Sequence, residues 1–110
     1  RNSGQRCTAV KRLLIHKHIL DEFTERFVER TASYVAGDPA DPDTVVGTVI
    51  DEAAAKVLER RVHLAVEDGA EVLIGGRRQG ALMEPTVLAH VPRTAEMVCR
   101  ESFGPLARVW

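Results

Sequence analysis

Two amphipathic helical stretches, each leading into a Pro- or Gly-marked break, constrain the fold of this chain more than any other feature. From Ile19 to Ala36, Leu20, Phe23, Phe27, Thr31 and Tyr34 recur at helical spacing, while Asp21, Glu25 and Glu29 mark a wet face. Glu22 and Arg26 form an i,i+4 pair on the same stretch. Gly37 is the predicted end, because Asp38-Pro39-Ala40-Asp41-Pro42-Asp43 forces an extended, turn-rich loop. The second helix opens with Asp51 as N-cap and Glu52 in the first turn. It lines up Ala54, Leu58, Val62 and Ala65 on one face, and should end at Gly69.

Short β-prone runs frame these helices. Leu13-Leu14-Ile15-His16 reads as a buried strand, Ala70 to Ile74 as a second, and Leu106 to Trp110 as a last one. Leu82 to Val91 reads as extended, with Pro85 at a bend, and Thr94 to Val98 as a short helical turn. The order strand, helix, loop, helix, strand predicts an α/β fold, with helices layered on a mostly parallel sheet. Gly75-Gly76 follows a strand, but Arg77-Arg78-Gln79 does not open an apolar helix and no G-x-G-x-x-G is present. A hairpin-like turn is expected there instead of a dinucleotide-binding turn.

Composition excludes several function classes. A formal net charge of -1 and interspersed acidic residues leave no basic field for nucleic acid or an anionic membrane, and the basic pairs Lys11-Arg12, Arg60-Arg61 and Arg77-Arg78 read as solvated surface. One Trp, one Tyr and three Phe supply no platform for stacking bases. No apolar run reaches the roughly 20 residues of a membrane helix. Two widely separated cysteines form no CxxC pair and no disulfide scaffold, which fits a reducing cytoplasm. His16, His18, His63 and His90 show no metal-ligand spacing. Both ends of the chain read as cuts through a longer protein, since Trp110 closes an apolar run.

Chemistry concentrates at Cys7. Gly4 permits a tight turn ahead of it, Asn2 or Ser3 is a candidate cap, and the following Thr8 to Arg12 run is predicted helical. A thiol at a helix N-terminus, with Arg6 adjacent and Lys11 about one turn on, sits in a setting that favours thiolate. Cys7 is therefore the candidate nucleophile. Cys99, beside Met97 and Val98, reads as a packing residue.

Gly4-Gln5-Arg6-Cys7 resembles the active-site cysteine motif of the aldehyde dehydrogenase superfamily, and Glu101-Ser102-Phe103-Gly104-Pro105 resembles that family's downstream Glu-x-Phe-Gly-Pro cofactor motif. The resemblance covers essentially the whole chain. It implies part of a catalytic domain, residues 1-110, without the dinucleotide-binding domain, and NAD or NADP as cofactor. It implies a thiohemiacetal and then a thioester on Cys7, whose own N–H is one oxyanion donor. Glu101 matches the ribose-binding glutamate and Phe103 the aromatic at the nicotinamide. The family's second oxyanion donor, an Asn, and its general base, a Glu, belong to upstream segments, so these 110 residues alone are expected to be inactive. Arg6 matches the branch acting on phosphonoacetaldehyde or, without phosphorylation, on glyceraldehyde 3-phosphate, where an arginine before the cysteine implies an anionic substrate. A homodimer or homotetramer is implied for the full-length protein. The competing reading is a non-catalytic α/β interaction domain in which Cys7 is merely packed.

Overall fold

A computed structural model describes residues 2–110. Helices pack on a mainly parallel four-stranded sheet formed by β1 (Arg12–Leu13), β2 (Glu71–Ile74), β5 (Thr86–Ala89) and β6 (Leu106–Val109). The order across the sheet is β1-β6-β5-β2; β6 runs parallel to both its neighbours, and β2 joins β5 antiparallel at the edge. A separate hairpin pairs β3 (Arg78–Gln79) with β4 (Leu82–Met83).

The second helical stretch folds as the sequence predicts. It forms α2 (Glu52–Glu67), and the Asp51 side chain accepts the Ala54 N–H at 2.7 Å. Gly69, at φ 102°, turns the chain out of the helix. Ala55, Leu58, Val62 and Ala65 are buried against Leu88 and Leu106 of the sheet, together with Met83 and Met97. Leu88 and Leu106 alternate with Ala89 and Val109, which face the first helix, so the two long helices cover opposite faces of the sheet.

That first helix, α1 (Leu20–Ala32), is shorter than its periodicity predicts. The reason is competition for the backbone: the Val35 carbonyl accepts the N–H groups of Val45 and Val46, and Gly37 N–H donates to Val46. Residues 35–37 are thereby drawn out of the helix into a bridge with Val46. Tyr34 lies beyond the helix end and is exposed. Of the α1 residues only Thr31 is buried, and a groove of about 750 Å³ separates the helix from Leu73, Ala89 and Val109.

Three further expectations are corrected. The first strand is only two residues long, and Leu14 is 72% exposed, so Leu13 to His16 is not a buried strand. Gly75-Gly76 does not turn a hairpin, because β2 pairs with β5 and not with β3; both glycines have positive φ, and a Cβ on Gly75 would lie 2.2 Å from the Pro85 carbonyl oxygen. Thr94 to Val98 tightens into α3 (Glu96–Cys99), where Cys99 is exposed instead of packed, its thiol beside the Arg93 and Thr94 carbonyls at 3.6 and 3.7 Å.

Candidate functional site

The predicted helix after Cys7 does not form. Asn2–Gly4 makes a 3₁₀ turn with Asn2, Ser3 and Gly4 all at positive φ, a second turn closes with Ala9 N–H on the Arg6 carbonyl at 3.0 Å, and the chain then enters β1. The sheet outcompetes the helix, since Lys11 and Arg12 are engaged by β6: Arg108 N–H donates to the Lys11 carbonyl at 3.0 Å, and Arg12 registers with Arg108. Two non-glycine residues at positive φ are strained, and side chains hold them there. Ser3 Oγ donates to the Gly47 carbonyl at 2.8 Å, and Gln5 Oε1 accepts the Ile50 N–H at 2.8 Å. On this braced turn Arg6, Cys7 and Thr8 are exposed. Cys7 is a free thiol open to solvent and is not packed among these residues.

The Glu101–Pro105 loop lies against this turn. Gly4 and Gly104 cross so closely that a Cβ on Gly4 would lie 2.2 Å from the Gly104 carbonyl oxygen. Gly104 is itself buried, and a Cβ there would lie 2.2 Å from Leu58 Cδ1. Both motif glycines are thus required by close approach, one against backbone and one against the core. Glu101 and Phe103 are exposed on the loop between these anchors, and Ser102 between them is buried.

Three cations hold this arrangement. Lys11 Nζ donates to the carbonyls of Gly4 at 2.5 Å and Gly104 at 2.6 Å, one from each motif. Burial pulls the Lys11 ammonium below its ordinary pKa, Glu101 opposes that shift, and Arg108 adds to it. Arg61 donates through one NH to the Glu101 carbonyl at 2.5 Å and through Nε to Glu96 at 3.2 Å. Arg60 grips Glu96 with two hydrogen bonds at 3.0 and 2.8 Å, which hold the Glu96 carboxyl below the usual carboxylate range. The α2–α3 contact therefore fixes where the Glu101 backbone starts.

Arg6, Cys7, Glu101 and Phe103, the candidate site residues of the sequence, are all exposed, and the structure brings their two loops into contact at Gly4 and Gly104. Sequence reading named Lys11 only as a cation that favours thiolate at Cys7 and missed its bonds to main-chain oxygens, and it missed Arg61, which acts on a main-chain oxygen too. A carbonyl acceptor leaves no signature in sequence, so the signal available was only that each belongs to a basic pair.

The fold, a layered α/β sheet with an exposed thiol and an exposed Glu-x-Phe loop meeting at two glycines, defines one part of a catalytic domain. The chain belongs to the aldehyde dehydrogenase family, whose model matches residues 1–110. It is 43% identical over 104 residues to a sulfoacetaldehyde dehydrogenase of Neptuniibacter caesariensis, covering 94% of this chain and 23% of that protein. It is 41% identical over 112 residues to a succinate-semialdehyde dehydrogenase [NADP(+)] of Deinococcus radiodurans, covering 99% of this chain and 24% of that protein. Among solved structures it superimposes with a TM-score of 0.94, at 40% identity, on aldehyde dehydrogenase 21 of Physcomitrella patens in complex with the reaction product succinate, covering 97% of this chain and 22% of that one. The chain thus spans about a quarter of the length of these relatives. Among the described residues, no helix is long and apolar enough to cross a membrane.

Proposed function

We propose that the full-length protein is an NAD- or NADP-dependent aldehyde dehydrogenase that oxidises a small anionic aldehyde, such as phosphonoacetaldehyde, to the acid. The observation that carries this reading is the exposed turn bearing Arg6 and Cys7 in contact, through Gly4 and Gly104, with the loop bearing Glu101 and Phe103.

Cys7 is the nucleophile in this reading. Its thiolate attacks the aldehyde carbon to form a thiohemiacetal, and its backbone N–H donates to the developing oxyanion. Loss of hydride from that carbon leaves a thioester, which water hydrolyses to the acid and the free thiol. The nicotinamide cofactor, when bound, accepts the hydride. The residues present fit such a group: Phe103 is 42% exposed and offers a face to a nicotinamide, and the exposed Glu101 offers a carboxylate to ribose hydroxyls. Glu101 positions, in this assignment, and the base that activates water belongs to another segment of the full-length chain. The adenine half of the cofactor would be held by a dinucleotide-binding domain outside these residues, so the 110 residues alone are expected to show no turnover. We place the enzyme in the cytoplasm as a homodimer or homotetramer.

Arg6 supports an anionic substrate class. It adjoins Cys7 on the same exposed turn, and a guanidinium matches a phosphonate, sulfonate or carboxylate in bidentate geometry. The relatives named for sulfoacetaldehyde and for succinate semialdehyde act on aldehydes that carry an acid group, and phosphonoacetaldehyde differs from the former only in that group. The test compares kcat/KM for phosphonoacetaldehyde, sulfoacetaldehyde, succinate semialdehyde and propanal in the wild type and in Arg6→Ala. Hydrogen bonds to a charged group contribute about 1.5 to 3 kcal/mol, so the anionic aldehydes should lose roughly tenfold to over a hundredfold and propanal much less. Any general effect of Arg6 on the thiol cancels in the ratio. An equal loss for all four would refute the anionic assignment.

A further inference from the structure

Each motif loop has anchors of its own before the chain enters β1 or β6, and one side chain links the two loops directly. Residues 2–9 are held by Ser3 on Gly47 and by Gln5 on Ile50, while the Glu101 end of the other loop is held by Arg61. Among the described residues, no main-chain hydrogen bond joins residues 2–9 to residues 101–105. The polar link between them is the Lys11 ammonium, which donates to the Gly4 carbonyl at 2.5 Å and to the Gly104 carbonyl at 2.6 Å. Removing it would leave each loop attached to its own support. Their relative position would then rest on the Gly4–Gly104 van der Waals contact and on the β1–β6 pairing that follows the two loops, where the Arg108 N–H donates to the Lys11 carbonyl.

This geometry makes Lys11 more than a brace. Gly4 lies three residues before Cys7, and Gly104 directly follows Phe103, so the ammonium sits between the turn that carries the thiol and the loop that carries the cofactor-motif side chains. Both acceptors are neutral carbonyls in a partly buried setting, where a shared cation is held by orientation and distance. Displacing either carbonyl moves the ammonium and weakens its bond to the other. We propose that Lys11 is a positioning residue that couples the two loops, so that cofactor engaging Glu101 and Phe103 changes the reactivity of Cys7. The proposal rests on the aldehyde dehydrogenase reading above and adds to it a specific conduit between two of its sites.

A coupling of this kind is reciprocal, which gives two readouts other than turnover. In the full-length protein, the rate of Cys7 alkylation by iodoacetamide, followed by peptide mass spectrometry, is measured with and without saturating NADP, and again with NAD. In the wild type the two rates should differ by about fivefold or more, the lower end of ordinary coupling between sites. Alkylation of Cys7 should shift the cofactor Kd by a similar factor. In Lys11→Met both ratios should fall to within about twofold of unity, while Lys11→Arg, which keeps charge and donors, should recover part of the effect. Arg61→Met is the contrast: it frees the Glu101 carbonyl from α2 and should weaken cofactor binding while the alkylation ratio is retained. Should Lys11→Met fail to fold, by thermal unfolding and circular dichroism, Lys11→Gln takes its place with the same expected loss. A wild-type ratio of one, a folded Lys11→Met or Lys11→Gln with the wild-type ratio, or equal loss in Arg61→Met would overturn the proposal. Near-normal turnover in Cys7→Ser would instead remove the reading beneath it.

Discussion

The sharpest prediction comes from two glycines with the same clearance and opposite expected consequences. A Cβ at Gly4 would lie 2.2 Å from Gly104 O, and a Cβ at Gly104 would lie 2.2 Å from Leu58 Cδ1. Real Cβ contacts do not fall below 3.0 Å, so each substitution must displace its neighbour by at least 0.8 Å, the difference between the two distances. At Gly4 the neighbour is backbone, the Lys11 ammonium is a further obstacle at 2.9 Å, and φ is +70°, where alanine loses about 1 to 2 kcal/mol. The strain cannot be absorbed by a rotamer and must separate the two loops. A misplacement near 1 Å at a reactive centre costs about a hundredfold, so Gly4→Ala in the full-length enzyme should lower kcat/KM by roughly that factor. At Gly104 the neighbour is the far end of a leucine side chain in the core. Leu58 can rotate, and Gly104→Ala should chiefly cost stability, about 1 to 3 kcal/mol for overpacking. Steady-state kinetics and urea unfolding on the two variants separate these outcomes. A Gly4→Ala enzyme within about threefold of wild-type kcat/KM would refute the claim that loop contact sets the active geometry.

Three other outcomes are expected. Cys7→Ser should abolish turnover with the fold intact, whereas Cys99→Ser should not; since both thiols are exposed, peptide mapping of alkylation rates is needed to tell them apart. Glu101→Gln should slow hydride transfer or weaken cofactor binding, and stopped-flow traces showing normal hydride transfer with accumulating acyl-enzyme would make Glu101 the base instead. The depressed pKa of Lys11 makes the folded chain release this proton at lower pH than the unfolded chain does. Stability therefore rises with pH from the folded value up to the ordinary 10.5, and urea midpoints measured over alkaline pH should show that rise in the wild type and lack it in Lys11→Met.

Where local and tertiary signals agreed, the fold was legible. The Asp51 cap, the Ala54-to-Ala65 stripe and Gly69 describe α2, because this helix is buried along one face and no other segment competes for its backbone. The order of the extended runs likewise gave a mainly parallel sheet flanked by helices. The helix misreadings fell where another segment recruited the backbone: residues 35–37 left α1 for a bridge with Val46, and Lys11 and Arg12 left a predicted helix for the distant strand β6. A pairing partner some ninety residues away, as in the Lys11–Arg108 bond, cannot be inferred from a window of helical spacing. The helix-terminus rationale for Cys7 therefore fails, while its exposure on a braced turn stands on different grounds.

The basic pairs show how a surface reading can conceal the parts that organise a site. Each of Lys11-Arg12, Arg60-Arg61 and Arg77-Arg78 reads as two solvated charges, yet in each pair one member is turned inward. Lys11 bridges Gly4 and Gly104; the Arg61 side chain is 11% exposed and joins Glu96 to the Glu101 carbonyl; the Arg78 side chain is 19% exposed and bonds Glu59 at 2.7 Å. Adjacent residues on a helix or strand diverge in direction, so a dibasic pair at the edge of a core can supply one inward and one outward charge. The outward members differ too: Arg12 lies over the Trp110 ring at 5.1 Å, and Arg60 closes on Glu96. A cation aimed at carbonyls differs in consequence from one aimed at a carboxylate. At Lys11, whose hydrogen-bond acceptors are neutral carbonyls, burial outweighs the opposing charge of Glu101 and lowers the pKa, whereas the hydrogen-bonded Glu96 carboxylate raises that of Arg60. Holding a partly buried ammonium on neutral acceptors carries an electrostatic cost that a purely structural brace could avoid with an apolar side chain. What an apolar side chain cannot do is hold two main-chain carbonyls of different loops at hydrogen-bond distance from a single atom, and that is the geometry through which the thiol turn and the Glu-x-Phe loop respond to each other.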